Sequence, residues 1–458
     1  MLLECRESSC FEWFMLRSSV KLQGAFQSRP LTVLVVQATH AEPSVQHAVL
    51  ALSSIHRAQV NRSDDDRFAI QQYGKAISSL RLLPNSIHSK RTTLIAAMYF
   101  VNMEFLRGHY AAGLMHVKHA LSLLQDNIPS TYIDGWLVTI FIRTLVSAKL
   151  FGQLPEISCQ PFVIAGLRPE LDTFRSVHHA RRTLDNIMLK MFDLKQQGCD
   201  SWYNRQELAL ELYVWNEIHA RTMLLHHEIL DWFAYRLLHI YYHVAWVLVD
   251  GSAKCDPFRS IIDESLDIAR IRFMDLAKSY HDPEPYSPNH ISDIGWIPPL
   301  YFTAIHCRDY RIRHKATRMI QSTHHKEGIW DSALASAVAS KIVELEEDGF
   351  YDFLELGDLP ISSIEQEVPS LPENYRLSNI NITLPDNPTG QLLLSCYHER
   401  KQTSITCTYH PSTEHWTKTT TTTTKSHHSN FCPTKPSLIP HNFSATPLST
   451  AQLGALQT

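Results

Sequence analysis

Residues 94–124 read LIAAMYFVNMEFLRGHYAAGLMHVKHALSLL. Up to Arg107 the segment is apolar almost without a break, which fits a helix buried on most sides. Gly108 suits the left-handed position that ends such a helix, and the apolar ladder resumes at once from His109. Two helices joined by so short a loop bury only one face each, so further helices must stack on them. The unit has an echo upstream. RFAIQQYGKAISSL at 67–80 resembles HYAAGLMHVKHALSLL at 109–124 at a shift of 37 residues, Tyr73 to Tyr110. Each carries a tyrosine, small residues and an apolar ladder, the mark of a helical-hairpin repeat.

Working outward, Val45, Ala48, Val49, Leu52 and Ile55 recur at helical spacing behind Pro43 and Ser44, which suit a helix start. Phe68, Ile70, Tyr73, Ile77 and Leu80 do the same before the break at Pro84-Asn85. Helices are predicted over 172–196, 205–223, 226–250, 257–281 and 309–321. A last one is capped by Asp331, striped by Leu334, Val338, Ile342 and Leu345, and ended by Gly349. The period then changes. Ile380, Ile382 and Leu384 alternate with polar residues as in a strand, PDNPTG makes a turn, and QLLLSCYH is the returning strand. The fold class read from this is all-α: an array of stacked antiparallel helical hairpins, α-α superhelix-like, over residues 1–358. Residues 359–404 form an extension with a β-hairpin. Residues 405–458, rich in Ser, Thr, Pro and His, are expected to be a disordered tail with too few apolar groups to offset ordering entropy.

The 458 residues are 44% hydrophobic and 19% charged with a net charge of -4, which gives no global electrostatic case for nucleic acid or an anionic membrane. The nine cysteines contain no C-x-x-C pair and read as reduced thiols of an intracellular protein. No signal peptide is seen at the start. LTVLVVQA and IGWIPPLYFTAI, the most apolar stretches, are too short to span a membrane, and Pro298-Pro299 interrupts the second.

Candidate chemistry is sparse. The stretch 306–332 holds Arg308, Arg311, Arg313, Lys315, Arg318 and Lys326. Asp309 caps a helix there whose apolar face is Ile312, Ala316, Met319 and Ile320, so the basic residues read as its solvated side. Asp309, Glu327 and Asp331 dilute any patch for nucleic acid, and no aromatic platform interleaves. His239 and His243 sit one helical turn apart, as metal ligands can, but no third ligand is near in sequence. His116 and His119 pose the same question, and all four read as satisfied helix histidines. The doublets His178-His179, His226-His227, His324-His325 and His427-His428 read as surface positions. Glu346-Glu347 and Asp64-Asp65-Asp66 read as helix-end or solvated charges. Nucleotide, phosphate-loop and nucleophile-elbow motifs are absent. No catalytic, cofactor-binding or metal residue is therefore assigned, and the chain is not read as an enzyme.

Six stretches, in order, resemble the regulatory (middle homology) domain of fungal zinc-cluster transcription factors. They are 37–58, 67–81, 94–124, 174–188, 294–320 and 324–347, running from QATHAEPSVQHAVLALSSIHRA to HHKEGIWDSALASAVASKIVELEE. The resemblance implies a helical array, a nuclear location and regulation of transcription, with metabolic gene sets as targets. It implies as partners transcriptional co-regulators or another transcription factor, a small-molecule effector, and a second copy of the chain. There are two departures. The family's zinc cluster of six cysteines is absent, so its zinc ions have no ligands here, and DNA contact would need such a cluster. In IRTLVSAKLFGQLPE at 142–156, Leu145 and Ser147 stand where family members tend to carry an acidic residue and a glutamine. The alternatives weighed against this reading are a helical-repeat scaffold without DNA binding, and an enzyme with an unrecognised site among the histidines.

Overall fold

The computed structural model describes residues 5–19, 24–26, 29–61, 66–125, 135–162, 172–198, 201–225, 229–250, 255–278, 289–353 and 368–422. It is mostly helical, with an antiparallel sheet near the C-terminus. The helices are α1 (Cys5–Trp13), α2 (Arg29–Ala41), α3 (Pro43–Val60), α4 (Arg67–Arg81), α5 (Ile87–Arg107), α6 (Tyr110–Gln125) and α7 (Gly135–Leu150). They continue as α8 (Val177–Gln196), α9 (Trp202–Met223), α10 (Ile229–Asp250), α11 (Asp256–Lys278), α12 (Ile297–His306), α13 (Tyr310–Gln321) and α14 (Ser332–Glu347).

The predicted signals at 94–124 are met. Ser86 caps α5 by accepting from the Ser89 N–H, and Gly108 closes it at φ 78°. α5 buries residues on every side, from Leu94 to Leu106, and packs on α3 and α6. α3 is buried almost throughout, so its polar groups must find partners inside. His47 Nδ1 meets Gln72 Oε1 at 2.7 Å, and Gln72 Nε2 donates to Glu7 Oε1 at 3.0 Å, linking α3, α4 and α1. The approach of α6 to α5 depends on Gly113, where a Cβ would overlap the buried Phe105 ring. Gly113→Ala is expected to lower stability by about 0.5–2 kcal/mol, as overpacking outweighs the gain in helix propensity. Urea unfolding reads this directly, and a stabilised variant would show that the ring can yield.

Two prolines that sequence reading took as an interruption instead open a helix. Pro298 and Pro299 occupy the first turn of α12, where the missing N–H groups have no helical partner to lose. The rest of that turn is satisfied from afar. The Glu327 carboxylate accepts from the backbone N–H groups of Gly295, Trp296 and Ile297 at 3.0, 3.0 and 3.1 Å. It also pairs with His325 Nε2 at 2.7 Å. A Cβ on Gly295 would overlap this carboxylate. Glu327 lies on β2 (His325–Glu327), which pairs in parallel with β1 (Asn289–Ile291) and antiparallel with β3 (Trp330–Asp331). So Glu327 is buried, and so is His325, which sequence reading expected at the surface.

The basic stretch is likewise only partly a wet helix face. Asp309 caps α13 as predicted, accepting from Ile312 N–H at 3.0 Å, and Arg311, Lys315 and Arg318 are exposed. Arg308 and Arg313 are buried, because Glu346 on α14 is buried opposite them. Its Oε2 lies 3.0 Å from Arg308 Nη1 and 2.7 Å from Arg313 Nη2. Its Oε1 accepts from the Leu377 N–H at 3.1 Å. The expectation of a solvated Glu346 is corrected for the same reason. Glu347 pairs with His314 at 3.0 Å.

The C-terminal sheet has the order β4 (Leu377–Thr383), β5 (Leu392–His398), β6 (Thr403–His410), β7 (His415–Thr422), all antiparallel. The expected hairpin is thus β4–β5, but the period of β4 is broken. A bulge falls between Ser378 and Asn381 with Asn379 at φ 51°, leaving Ile380 37% exposed while Ile382 and Leu384 are buried. Residues 405–422 form strands rather than the start of a disordered tail. Their threonines are β-branched and suit an extended backbone even with few apolar groups. Residues 423–458, the remainder of that expected tail, lie outside the described residues, as do Cys199, Asp64, Asp65, His226-His227 and His427-His428. Helices and sheet belong to one unit, residues 1–422. Leu377, Leu392, Leu394 and Ile405 join the same apolar core as the helices. Among the described residues no helix is long and apolar enough to cross a membrane.

Candidate functional site

α7 is largely apolar, and one of its faces lines a cavity. Trp136, Ile140, Arg143 and Ser147 fall at i, i+4, i+7 and i+11, one stripe of a helix. They face a cavity of about 470 Å³, within the range of small-molecule sites. α5 supplies Met98, Asn102 and Phe105 to the opposite wall, again at i, i+4 and i+7. His178, His179 and Arg182, from the start of α8, and Ser292 and Asp293, which follow β1, bring the polar groups. Behind Ser147 lies a close-packed floor. Trp330 Nε1 donates to Ser147 Oγ at 3.0 Å, and the Trp330 ring stacks on Phe151 at 4.1 Å with Tyr301 against both.

Two partly buried charges of the lining, Arg143 and Asp293, join two buried ones behind them, Arg181 and Asp185. Arg181 Nη1 meets Asp293 Oδ2 at 2.6 Å, and Arg143 Nη1 lies 3.6 Å from the same oxygen. Asp185 Oδ2 lies 3.6 Å from Arg181 Nε and 4.0 Å from Arg143 Nε. Arg181 also covers the Phe26 ring at 4.2 Å. Two cations balance two anions, so the group is neutral as a whole. Burial, with the adjacent Arg181 charge, pulls Arg143 down to about 10, still ionised at neutral pH. Burial pushes Asp293 up, but the two arginines outweigh it and hold its pKa below the ordinary carboxylate value. Burial wins at Asp185, whose pKa is raised against the pull of Arg181.

Three polar atoms on this wall are buried without a hydrogen-bond partner among the described residues: Trp136 Nε1, Arg143 Nε and Ser292 Oγ. Buried donors left unmade cost about 1–3 kcal/mol each. The lining, apolar along Met98, Ile140 and Phe105 and polar at His178, His179, Arg182 and Asp293, suits a ligand with an apolar body and a polar head.

Most of these residues carried no sequence signal, because α7 was not itself predicted. The one cue is a charge, Arg143, inside an otherwise apolar run. Of the two positions flagged as departures from the resembled family, Leu145 is core and Ser147 lines the cavity. His116 bonds Tyr73 Oη at 2.7 Å, with its pKa lowered by burial and then by the neighbouring His119, which is exposed. His178 and His179 are partly buried at the cavity rather than freely exposed. His239 and His243 lie on α10, away from it.

Comparison adds no relative: no family model matches the chain, nor does any curated protein or any solved structure.

Proposed function

We propose that the chain is the effector-binding regulatory part of a transcription regulator of the fungal zinc-cluster type, acting in the nucleus. In this reading the helices stack as hairpins in an α-α superhelix, and a small molecule in the cavity shifts the balance between two packings of the array. That balance governs a co-regulator, another transcription factor or a second copy of the chain. The observation that carries the reading is the cavity of about 470 Å³, apolar along most of its lining with polar groups from α8 and the segment after β1. The ordered sequence resemblance supplies the biological setting, and that warrant is one of likeness. Sequence recognition of DNA requires a zinc cluster from elsewhere, since these 458 residues hold no set of six suitably spaced cysteines.

A tethering experiment tests it. The whole chain is fused to an unrelated DNA-binding domain above a reporter in fungal cells. Reporter transcription is expected to change about fivefold or more, the lower end of common coupling energies. Asn102→Trp, which fills the cavity, is expected to shift that level. Transcription equal to that of the DNA-binding domain alone overturns the proposal and favours a scaffold without a role in gene control.

A further inference from the structure

The geometry points to a second site, which we propose binds a divalent transition-metal ion of the zinc class through His239 Nδ1, His243 Nε2 and the Glu264 carboxylate. The two histidines sit one turn apart on α10 with ring centroids 4.7 Å apart. The third ligand that the local sequence lacks comes from α11. Glu264 Oε1 lies 2.6 Å from His239 Nδ1 and 3.5 Å from His243 Nε2. One donor atom from each of the three residues falls within 4.8 Å of the others. A tetrahedral ion with bonds of about 2.0–2.1 Å holds its ligands about 3.3 Å apart, so the set needs only small side-chain shifts to close on an ion.

Two further observations favour a metal. His243 Nε2 and Glu264 Oε2 are buried and have no hydrogen-bond partner among the described residues. The nearest polar contact between the two residues is the 3.5 Å approach of His243 Nε2 to Glu264 Oε1, which an ion between them would shorten into two bonds. The other side of His239 is already held: its Nε2 lies 3.2 Å from Asn216 Oδ1 on α9. With that nitrogen donating, a neutral His239 ring would turn its Nδ1 lone pair to a bound ion in place of the Glu264 contact, the outer-shell arrangement that orients metal-bound histidines. Rings flank the pair: Tyr242 and His219 stack on His239 at 5.4 and 5.2 Å, and Tyr242 lies against His243 at 5.2 Å. A His239–Glu264 hydrogen bond also accounts for the 2.6 Å contact, but it leaves Glu264 Oε2 buried without a partner among the described residues. Three protein ligands leave a fourth position for water or an outside donor. The ion would tie together α9, α10 and α11, which stand apart from the cavity proposal, so each reading can fail without the other.

The test uses the full-length chain without an affinity tag, stripped with EDTA and titrated with cobalt(II) chloride. Expected are one cobalt per chain after gel filtration and the visible d–d absorption of a four-coordinate site, displaced by zinc. His243→Ala is expected to lose that band. Glu264→Gln, which keeps the side-chain shape and so separates ligand loss from misfolding, is expected to weaken binding about tenfold or more. No retained cobalt in the wild-type chain overturns the proposal. Equal uptake by the wild type and Glu264→Gln overturns it too, by assigning the metal to other histidines.

Discussion

Glu346→Ala is expected to lower the free energy of unfolding by about 3–5 kcal/mol, a large share of the roughly 5–15 kcal/mol that holds a typical protein together. The cause is the isolation of what remains. Arg313 has a fully buried side chain and Arg308 one that is 3% exposed. Glu346 Oε2 is their common hydrogen-bonded acceptor, and its Oε1 holds the first residue of β4. Without it, among the described residues, Arg308 keeps only Glu373 at 3.5 Å, Arg313 keeps the Ala304 carbonyl at 3.2 Å and Glu347 at 3.8 Å, and the Leu377 N–H loses its acceptor. Replacing all three charged residues together, with Leu at 346 and Met at 308 and 313, is expected to recover most of the loss, since a buried ion pair gains little over well-packed apolar groups. Urea midpoints for the single and triple variants decide the matter. An unchanged midpoint for Glu346→Ala would contradict the account.

Glu327→Ala is expected to cost a similar amount, about 3–5 kcal/mol, for a different reason. Three backbone N–H groups at the start of α12 lose their acceptor at once, and each buried N–H left unmade costs about 1–3 kcal/mol. Gly295→Ala should reproduce much of this loss while leaving Glu327 in place, because the added methyl displaces the carboxylate. Glu327→Gln keeps one acceptor oxygen and should fall between the wild type and the alanine variant. Hydrogen exchange at the Trp296 and Ile297 amides reads the effect locally. Protection equal to the wild type in Glu327→Ala would show that another group caps the helix.

These two glutamates also mark where sequence reading succeeds and where it stops. Helix ends were legible because caps are local. Asp309, Asp331 and Gly108 act within three residues of themselves, and all three take the predicted roles. Glu346 and Glu327 act across 30 or more residues, on Arg313 and on Ile297. Nothing near them in the chain tells a buried carboxylate from a solvated one. α7 was missed because helical periodicity needs a polar face, and GWLVTIFIRTLVSAKL has almost none. The cavity was illegible for the same reason. The pair His239 and His243 was visible, whereas its relation to Glu264 depends on how α11 packs against α10. The strands at 403–422 were lost by treating threonine as merely polar rather than as a β-branched residue.

The sheet's attachment to the helices sets an order of events during synthesis. Gln153 Nε2, just past α7, donates to the Ile382 carbonyl at 2.8 Å across 229 residues of chain. At about 5–20 residues per second, roughly 10–45 s separate the making of the two partners. Through that interval the helices made earlier wait for a strand made 229 residues later, with the Gln153 amide and the apolar surface beneath β4 and β5 uncovered. A message cut short before residue 382 yields a chain in which that wait never ends, and such a product is a natural substrate for chaperones and proteases.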